Sequence, residues 1–562
     1  MTLWIALASP ALACGGFFCD NTTPVTQAGE QIVFAIDAGR GTVTVQVRVA
    51  YTGPSESFAW VVPVPGIPEL GVTSNGLFDA LSTRTAPVHM LSVRLDECQS
   101  SGWDSDTDTD SDTDTDTESS DTGSTVEVVA AAEVGPYETV TLQAESSAAL
   151  IAWLQENGYD VPDAMDAAIA PYVAQGQYLL ALKLLKDRDT GDLQPISMTY
   201  PGSVGSIPIQ LTSVAAQPGM PLEVYVFGDH RAVPVSYLHV VPNPFAYDWF
   251  TGPASGPGSW ADTIGRAADE AGGHAFATDF SGPTQSLSGV FYQGQYDASL
   301  ARLDDLLAAA DWWQEVVRTF PPSAAILEVF RRQIPVPLGI DETSFYNCVA
   351  CYADEIAGQP FDPAAATADL DANVVQPLRD AEGLVAAYPH LSRLTSSLDA
   401  VEMTVDPVFD LNADMPQTVD RFHTAELTYQ CDGGASGSAP RTFTVEPEGY
   451  TVALPSAEYL AAIGQSEYQY LSALGAFAAL QIEQTATSGM ATVLADEHAW
   501  LEEQIAILNA RTADLNGEPP GASGESPPDA RSCGCEQGAG PGGAWVLALW
   551  PWLRRRVSSR SR

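Results

Sequence analysis

The chain has 562 residues, 45% of them hydrophobic, which is ordinary for a protein that buries a core and excludes a wholly disordered chain. Its 72 acidic residues against 24 basic ones give a formal charge of -48, with Lys183 and Lys186 as the lysines. Such an excess opposes a polyanionic partner, because nucleic-acid binding draws on cations that neutralise phosphates; nucleic acid is excluded as an expected partner.

Residues 1–13 are apolar and end in Ala11-Leu12-Ala13, a small-x-small site that reads as a secretory signal cut before Cys14. In the segment 31–65 the runs QIVFAIDA, GTVTVQVRVAY and SFAWVVPVP, set between Gly-rich turns, predict three strands. A short helix around Phe78 and Leu81 and a strand at HMLSVRLDE follow. The insert 104–122, DSDTDTDSDTDTDTESSDT, cannot build a core and reads as a solvated acidic spacer. It fails an EF-hand calcium pattern: counting back from Glu118 places Thr107, not Asp, at the first ligand position.

TVEVVAAAEVGPYETVTLQ predicts strands, and SSAALIAWLQENGY and DAMDAAIAPYVAQG predict helices, the first with Leu150, Trp153 and Leu154 on one face. YLLALKLLK, QPISMTY, IPIQLTS and PLEVYVFG read as further strands. Helical periodicity then dominates through WADTIGRAADEA, SLARLDDLLAAADWWQEVVRTF, SAAILEVFRRQI and 363–388, with Trp312 and Trp313 placed on a buried face. A small β element at HTAELTYQC and RTFTVEPEGYTVAL precedes a helical stretch over 460–510.

The predicted fold class is therefore α+β: an N-terminal mixed strand and helix module, then a mainly helical region with a small β element. The expected organisation is a signal peptide (1–13), an α+β module (14–243) carrying the insert 104–122, and a helical part (244–431). A small β element with a long helical segment (432–510), a Gly/Pro/Ser tether (511–532) and a terminal sorting segment (533–562) follow.

The last segment places Cys533 and Cys535 before a Gly-rich spacer, a short apolar run broken by Pro551, and Arg554, Arg555 and Arg556. It is too short for an ordinary membrane span, which needs about 20 apolar residues, but it resembles the C-terminal sorting signal of myxobacterial surface proteins. That resemblance implies cleavage near the cysteines by a processing protease, lipidation of the retained cysteine, and membrane association at the cell surface. Six cysteines remain: Cys14, Cys19, Cys98, Cys348, Cys351 and Cys431. In an exported chain they point to disulfides, with Cys14–Cys19 and Cys348–Cys351 as short loops and Cys98 left for Cys431, although other pairings stay open. The Cys-x-x-Cys of NCVACY also suits zinc or dithiol exchange; a structural zinc needs a second ligand pair of like spacing, which is absent from the sequence, so no metal is expected.

CGGFFC, PVTQAGEQIVFAID, YTGPSESFAWVVPVPGIPELG, LFDALSTRTAPV, VGPYETVTLQAES, LIAWLQENGYDVPD, YVAQGQYLLALKL, LQPISMTYP, AGGHAFATDF and PHLSRLTSSLDAVEMTVDPVFDLN together resemble the bacterial domain-of-unknown-function 2330 family, over about residues 14–431. The resemblance implies an exported, often surface-anchored bacterial protein and supplies no activity, cofactor or catalytic residue.

Walker, Gly-x-Ser-x-Gly, His-Glu-x-x-His and Rossmann patterns are absent from the sequence. The histidines most open to chemistry are His230, beside Asp229 on a turn after a strand, and His274, behind two glycines; His239 reads as a packed strand residue. Trp60, with PVPGIP, invites a peptide- or glycan-binding reading, set against a rigid corner. The expectation is a non-catalytic surface protein with an unidentified envelope partner and no cofactor; the alternative is a secreted hydrolase or metal-dependent enzyme acting on envelope polymers.

Overall fold

In the computed structural model, residues 26–52, 59–96, 127–159, 161, 164–184, 194–320, 322–431 and 436–517 are described. Cys14, Cys19, Cys98, Cys533, Cys535, Arg554, Arg555, Arg556, the expected signal peptide and the acidic insert lie outside them.

β1 (Thr26–Asp37) and β2 (Thr42–Thr52) form an antiparallel hairpin of alternating apolar residues. Its turn is closed by Asp37, whose Oδ1 accepts the Arg40 N–H at 2.8 Å, and by Gly41 at φ 65°. β3 (Ala59–Val64) and β4 (Glu69–Val72) lead into α1 (Asn75–Thr85), where the Ser74 hydroxyl accepts from the Gly76 N–H at 3.1 Å as the N-cap. β5 (Val88–Asp96), β6 (Glu127–Val134) and β7 (Tyr137–Gln143) precede α2 (Ser147–Glu156) and α3 (Met165–Ala174). Then come β8 (Tyr178–Leu184), β9 (Ile196–Pro201), β10 (Gly205–Ser206), α4 (Ile209–Thr212), β11 (Met220–Gly228), β12 (Ala232–Pro234) and β13 (Leu238–Pro242). α5 (Trp260–Glu270) and β14 (Ala275–Pro283) follow.

Between β14 and its neighbour β15 (His390–Leu398) the chain makes a helical excursion. It holds α6 (Gln295–Leu303), α7 (Ala309–Thr319), α8 (Ala324–Gln333), α9 (Glu342–Asn347), α10 (Ala353–Ile356), α11 (Pro363–Leu370) and α12 (Gln376–Ala387). β16 (Val408–Leu411), β17 (Phe422–Gln430), β18 (Arg441–Glu446), β19 (Tyr450–Leu454), α13 (Ala457–Ala462), α14 (Glu467–Leu471), β20 (Ala479–Gln484), β21 (Thr492–Asp496) and α15 (His498–Gly517) complete the chain order. The described residues up to Ala513 form one compact unit; of the unit from Asp514 onward only the end of α15 is described.

The largest sheet has ten strands in the order β21-β20-β13-β14-β15-β11-β1-β2-β9-β4. One face packs on a second sheet, β3-β8-β7-β6, through Ile32, Phe34, Val45, Val62, Leu180 and Val224. The outer face of β3 and β8 (Val61, Leu179, Ala181) is covered by Leu150, Leu154 and Ile169 of α2 and α3. The outer face of β1 and β11 (Val33, Tyr225, Phe227) is covered by Leu77 and Phe78 of α1 and Ala381 and Val385 of α12. The result is two sheets between two helical layers. The helical excursion has a core of its own around Trp312, Trp313, Phe330 and Val375, and a third sheet, β19-β18-β17-β5, packs on α13, α14 and α15.

This overturns the expected division into an α+β module and a mainly helical remainder. The region 244–431 places β14 and β15 in the middle of the largest sheet, beside β11, and 432–510 adds β20 and β21 at its edge. The physical reason lies in β15: HLSRLTSSL is buried almost throughout, with its hydroxyls hydrogen-bonded internally, so no apolar alternation marks it as a strand. IPIQLTS is likewise β10's exit and the short α4, not a strand, and 460–510 holds a hairpin between helices. α15 runs to Gly517, over the first residues of the expected tether.

Candidate functional site

Where β1, β2 and β9 diverge from β3, β7 and β8, the two sheets leave a cavity of about 500 Å³. Trp60 from β3, Tyr137 from β7, Leu182 from β8, Val47 and Val49 from β2 and Ile196 from β9 line its apolar walls, and Glu30 enters from β1. Strand alternation explains this: Glu30 shares the inward face with Ile32 and Phe34, one step beyond the last apolar residue of that row. Small residues at this end, Gly29 and Ala50, leave the volume unfilled; a Cβ on Gly29 would stand 3.3 Å from Pro221 Cγ. Trp60 is 6% exposed, so it is a wall of this cavity and not the exposed platform of the binding reading. Tyr137 donates its hydroxyl to the Gln194 carbonyl at 2.5 Å, and burial holds that phenol neutral, far above its ordinary range. The Gln194 Oε1 is buried without a hydrogen-bond partner among the described residues.

The rim is polar and continues across the opposite face of the sheet as a row of paired side chains. Arg48 Nε donates to Gln31 Oε1 at 2.6 Å, and Gln31 Nε2 donates to Glu223 Oε2 at 2.8 Å, as their cross-strand registers require. Glu223 also accepts from the Tyr225 hydroxyl at 2.7 Å and pairs with Arg393 at 3.3 Å. Arg393 pairs in turn with Asp279 at 3.3 Å. Asp279 sits where the β14–β15 register slips, and that bulge aims it at Arg393, at the Thr395 hydroxyl (2.8 Å) and at Trp260 Nε1 (3.0 Å). Burial raises the Asp279 carboxyl to about 6, with Arg393 acting against it.

Trp260 ends this row on a stack of rings. His89 and His423 are register partners on the parallel strands β5 and β17, with ring centroids 4.8 Å apart and 13° between planes. Tyr247 stacks on His89 at 3.8 Å, while Trp249 and Trp260 close in at 5.2 and 4.9 Å. Burial, then His423, lowers His89 to about 3; burial also lowers His423. Both rings are neutral at pH 7. Imidazole lone pairs lie in the ring plane, so two near-parallel rings do not converge on one metal ion. Among the described residues no group of three metal-ligating side chains occurs.

The histidines singled out by sequence do not meet. Asp229 and His230 are exposed on the turn after β11, near His390 at one end of β15. His274, at the other end, contacts Thr404 Oγ1 at 3.0 Å and meets the Tyr237 ring edge-on at 5.0 Å. His239 is packed as expected of a strand residue, held between Glu483 and Thr278 at 3.0 Å each. The arrangement nearest to a hydrolytic pair is one that sequence reasoning missed: Ser281 Oγ lies 2.8 Å from His390 Nε2. Ser281 is 0% exposed and sits 3.1 Å from the Ser392 hydroxyl, so a substrate carbonyl has no path to it in this structure.

Cys348 and Cys351 are joined by a disulfide with Cα atoms 5.3 Å apart. Cys431 is also disulfide-bonded, and its N–H donates to the Asp96 carbonyl at 3.2 Å. Among the described residues no helix is long and apolar enough to cross a membrane.

Glu30, His89, Asp279 and His423 carried no local signal, since each acquires its partners from strands distant in sequence; only the bulge and the register bring them into rows.

No curated protein and no solved structure matches the chain. The model of a family described as an uncharacterised protein conserved in bacteria, DUF2330, matches residues 8–299, which contain every residue lining the cavity between the sheets. The chain therefore belongs to the DUF2330 family of bacteria.

Proposed function

We propose that this protein is an exported component of the bacterial envelope that binds a ligand in the cavity between its two sheets. The observation that carries the reading is the cavity's lining: Trp60, Leu182 and Ile196 offer a broad apolar wall, and Glu30, Gln31, Arg48 and Glu223 offer polar groups at one end. A volume of about 500 Å³ with few, clustered polar groups suits a small molecule with a flat apolar body and one polar end. Export and anchoring rest on the leader, with its cut before Cys14, and on the tail from Cys533 to Arg556.

The test begins with protein purified from the native cell envelope, examined by native mass spectrometry for a bound small molecule and for both mature termini. The expected result is a mature start at Cys14, a C-terminus lost near Cys533, and a ligand mass that disappears in Trp60→Ala while the variant stays folded. An unprocessed chain overturns the envelope reading. Protein that carries no ligand, and shows no ligand-induced rise in melting temperature against envelope extracts, overturns the binding reading.

A further inference from the structure

The disulfide between Cys348 and Cys351 is poorly placed to act only as a brace. It closes a sequence separation of 3, and a loop that short restrains the unfolded chain least, so its contribution to stability is small. Cys351 is exposed and Cys348 half-buried; exposed disulfides are the ones open to exchange. Tyr346 and Asn347, immediately before Cys348, form part of the wall of a groove of about 630 Å³ in the helical excursion. The other walls are apolar, with Trp313, Phe320, Ile326 and Phe330 among them, and Val317 stands half-open at 43% exposure. Trp313, 7% exposed, lines the groove and holds an indole N–H with no acceptor among the described residues. The charge around the disulfide is one-sided. Asp354 and Glu355 are exposed beside it, and Arg331 on the groove wall is paired with Glu328 and Glu342.

We propose that Cys348–Cys351 is an exchange-competent disulfide that oxidises cysteine pairs in polypeptide clients whose cysteines are flanked by apolar and basic residues. Apolar side chains of the client enter the groove, and its basic residues face Asp354 and Glu355. A client thiolate attacks the Sγ of the exposed residue Cys351; the Cys348–Cys351 bond breaks and Cys348 leaves as a thiolate that takes up a proton. The second client thiol, deprotonated, attacks the client sulfur of the mixed disulfide and releases Cys351, which is protonated in turn. The client loses two hydrogens and gains a disulfide, and the two cysteines of this chain gain two hydrogens. One such turnover needs no other oxidant.

The full chain is mixed with synthetic dithiol peptides of matched sequence whose cysteines are flanked by Phe and Leu and by either Lys or Glu. Reduction of Cys348–Cys351 is followed by alkylation and peptide mass spectrometry. The basic peptide is expected to react at least about tenfold faster than the acidic one, with the difference shrinking in high salt. Val317→Asn, which removes apolar surface from the groove without adding charge, is expected to slow the basic peptide severalfold at an unchanged melting temperature. Cys348→Ser, given a basic peptide with a single cysteine activated as its thionitrobenzoate disulfide, is expected to hold that peptide in a stable mixed disulfide at Cys351, because no second thiol remains to displace it. Equal rates for the two peptides, no effect of Val317→Asn, or a disulfide that resists both peptides each overturn the proposal.

Discussion

His89 and His423 show how a pair of ordinary side chains acquires a pH dependence from packing. Burial holds both rings neutral, His89 among Tyr247, Trp249 and Trp260 and His423 between His89 and Trp260, with Asp420 the charged group acting on His423 in the opposite sense. The folded-state value of His89 is about 3, below the ordinary 6.5 of an unfolded histidine. Between those values the unfolded chain binds a proton that the folded chain refuses, so stability falls as pH drops below about 6.5. Asp279 acts with the opposite sign: its raised value of about 6 favours the folded state as pH falls through that range. The two are separated by a variant. His89→Phe keeps the stacking and removes the titration; its stability loss between pH 7 and pH 4.5 should be smaller than that of the parent by about 2 kcal/mol. Denaturant melts at the two pH values measure the difference, and identical losses would show that His89 is protonated in the folded state.

The helical excursion between β14 and β15 starts and ends on one strand pair, since Pro283 and His390 are register partners. Its core of Trp312, Trp313, Phe330, Phe345 and Val375 is drawn from its own helices. Contact with the main sheet runs instead through Leu287, Phe291, Ala381 and Val385, which lie on its two stems. Two cores with so narrow a junction should open separately. Phe330, 4% exposed, packs within 6.4 Å of the Trp312, Trp313 and Tyr346 rings, so Phe330→Ala should destabilise the excursion by about 3 kcal/mol. Native-state hydrogen exchange should then accelerate across α7, α8 and α9 and stay unchanged in β1, β11 and β15. Acceleration throughout would mean that the excursion and the sheet unfold as one. The apolar period of α7 and α8 was readable because helices made of local contacts write their buried face into the chain, and Trp312 and Trp313 are buried as that period implies. β15 was not readable, because Ser392, Arg393, Thr395 and Ser396 are buried with partners supplied by β12 and β14.

Over the whole molecule, the chain threads back through one sheet several times. β1 lies beside β11, β11 beside β15, and the late strand β20 covers the open edge of β13, with Glu483 reaching His239. The boundary expected near residue 432 is therefore not a place where the chain can be cut. A protein ending at Leu454 loses β20, along with Leu460, Leu471, Leu501 and Ile505 from the core under β17, β18 and β19. It should be recovered unfolded or aggregated, because it exposes both a sheet edge and an apolar face; a soluble product with the parent's melting temperature would show that the C-terminal strands merely decorate the sheet. What the residues by themselves determined is what local chemistry writes: the strands β1 to β3, the amphipathic helices, the acidic composition of the insert and the family motifs. Tertiary structure alone decided the sheet order, the neutral histidine stack, the Arg48-to-Trp260 row and the cavity beside Trp60. These arise from strand pairings between distant segments, and a buried polar side chain reveals its role only once the partner that satisfies it has been brought to it.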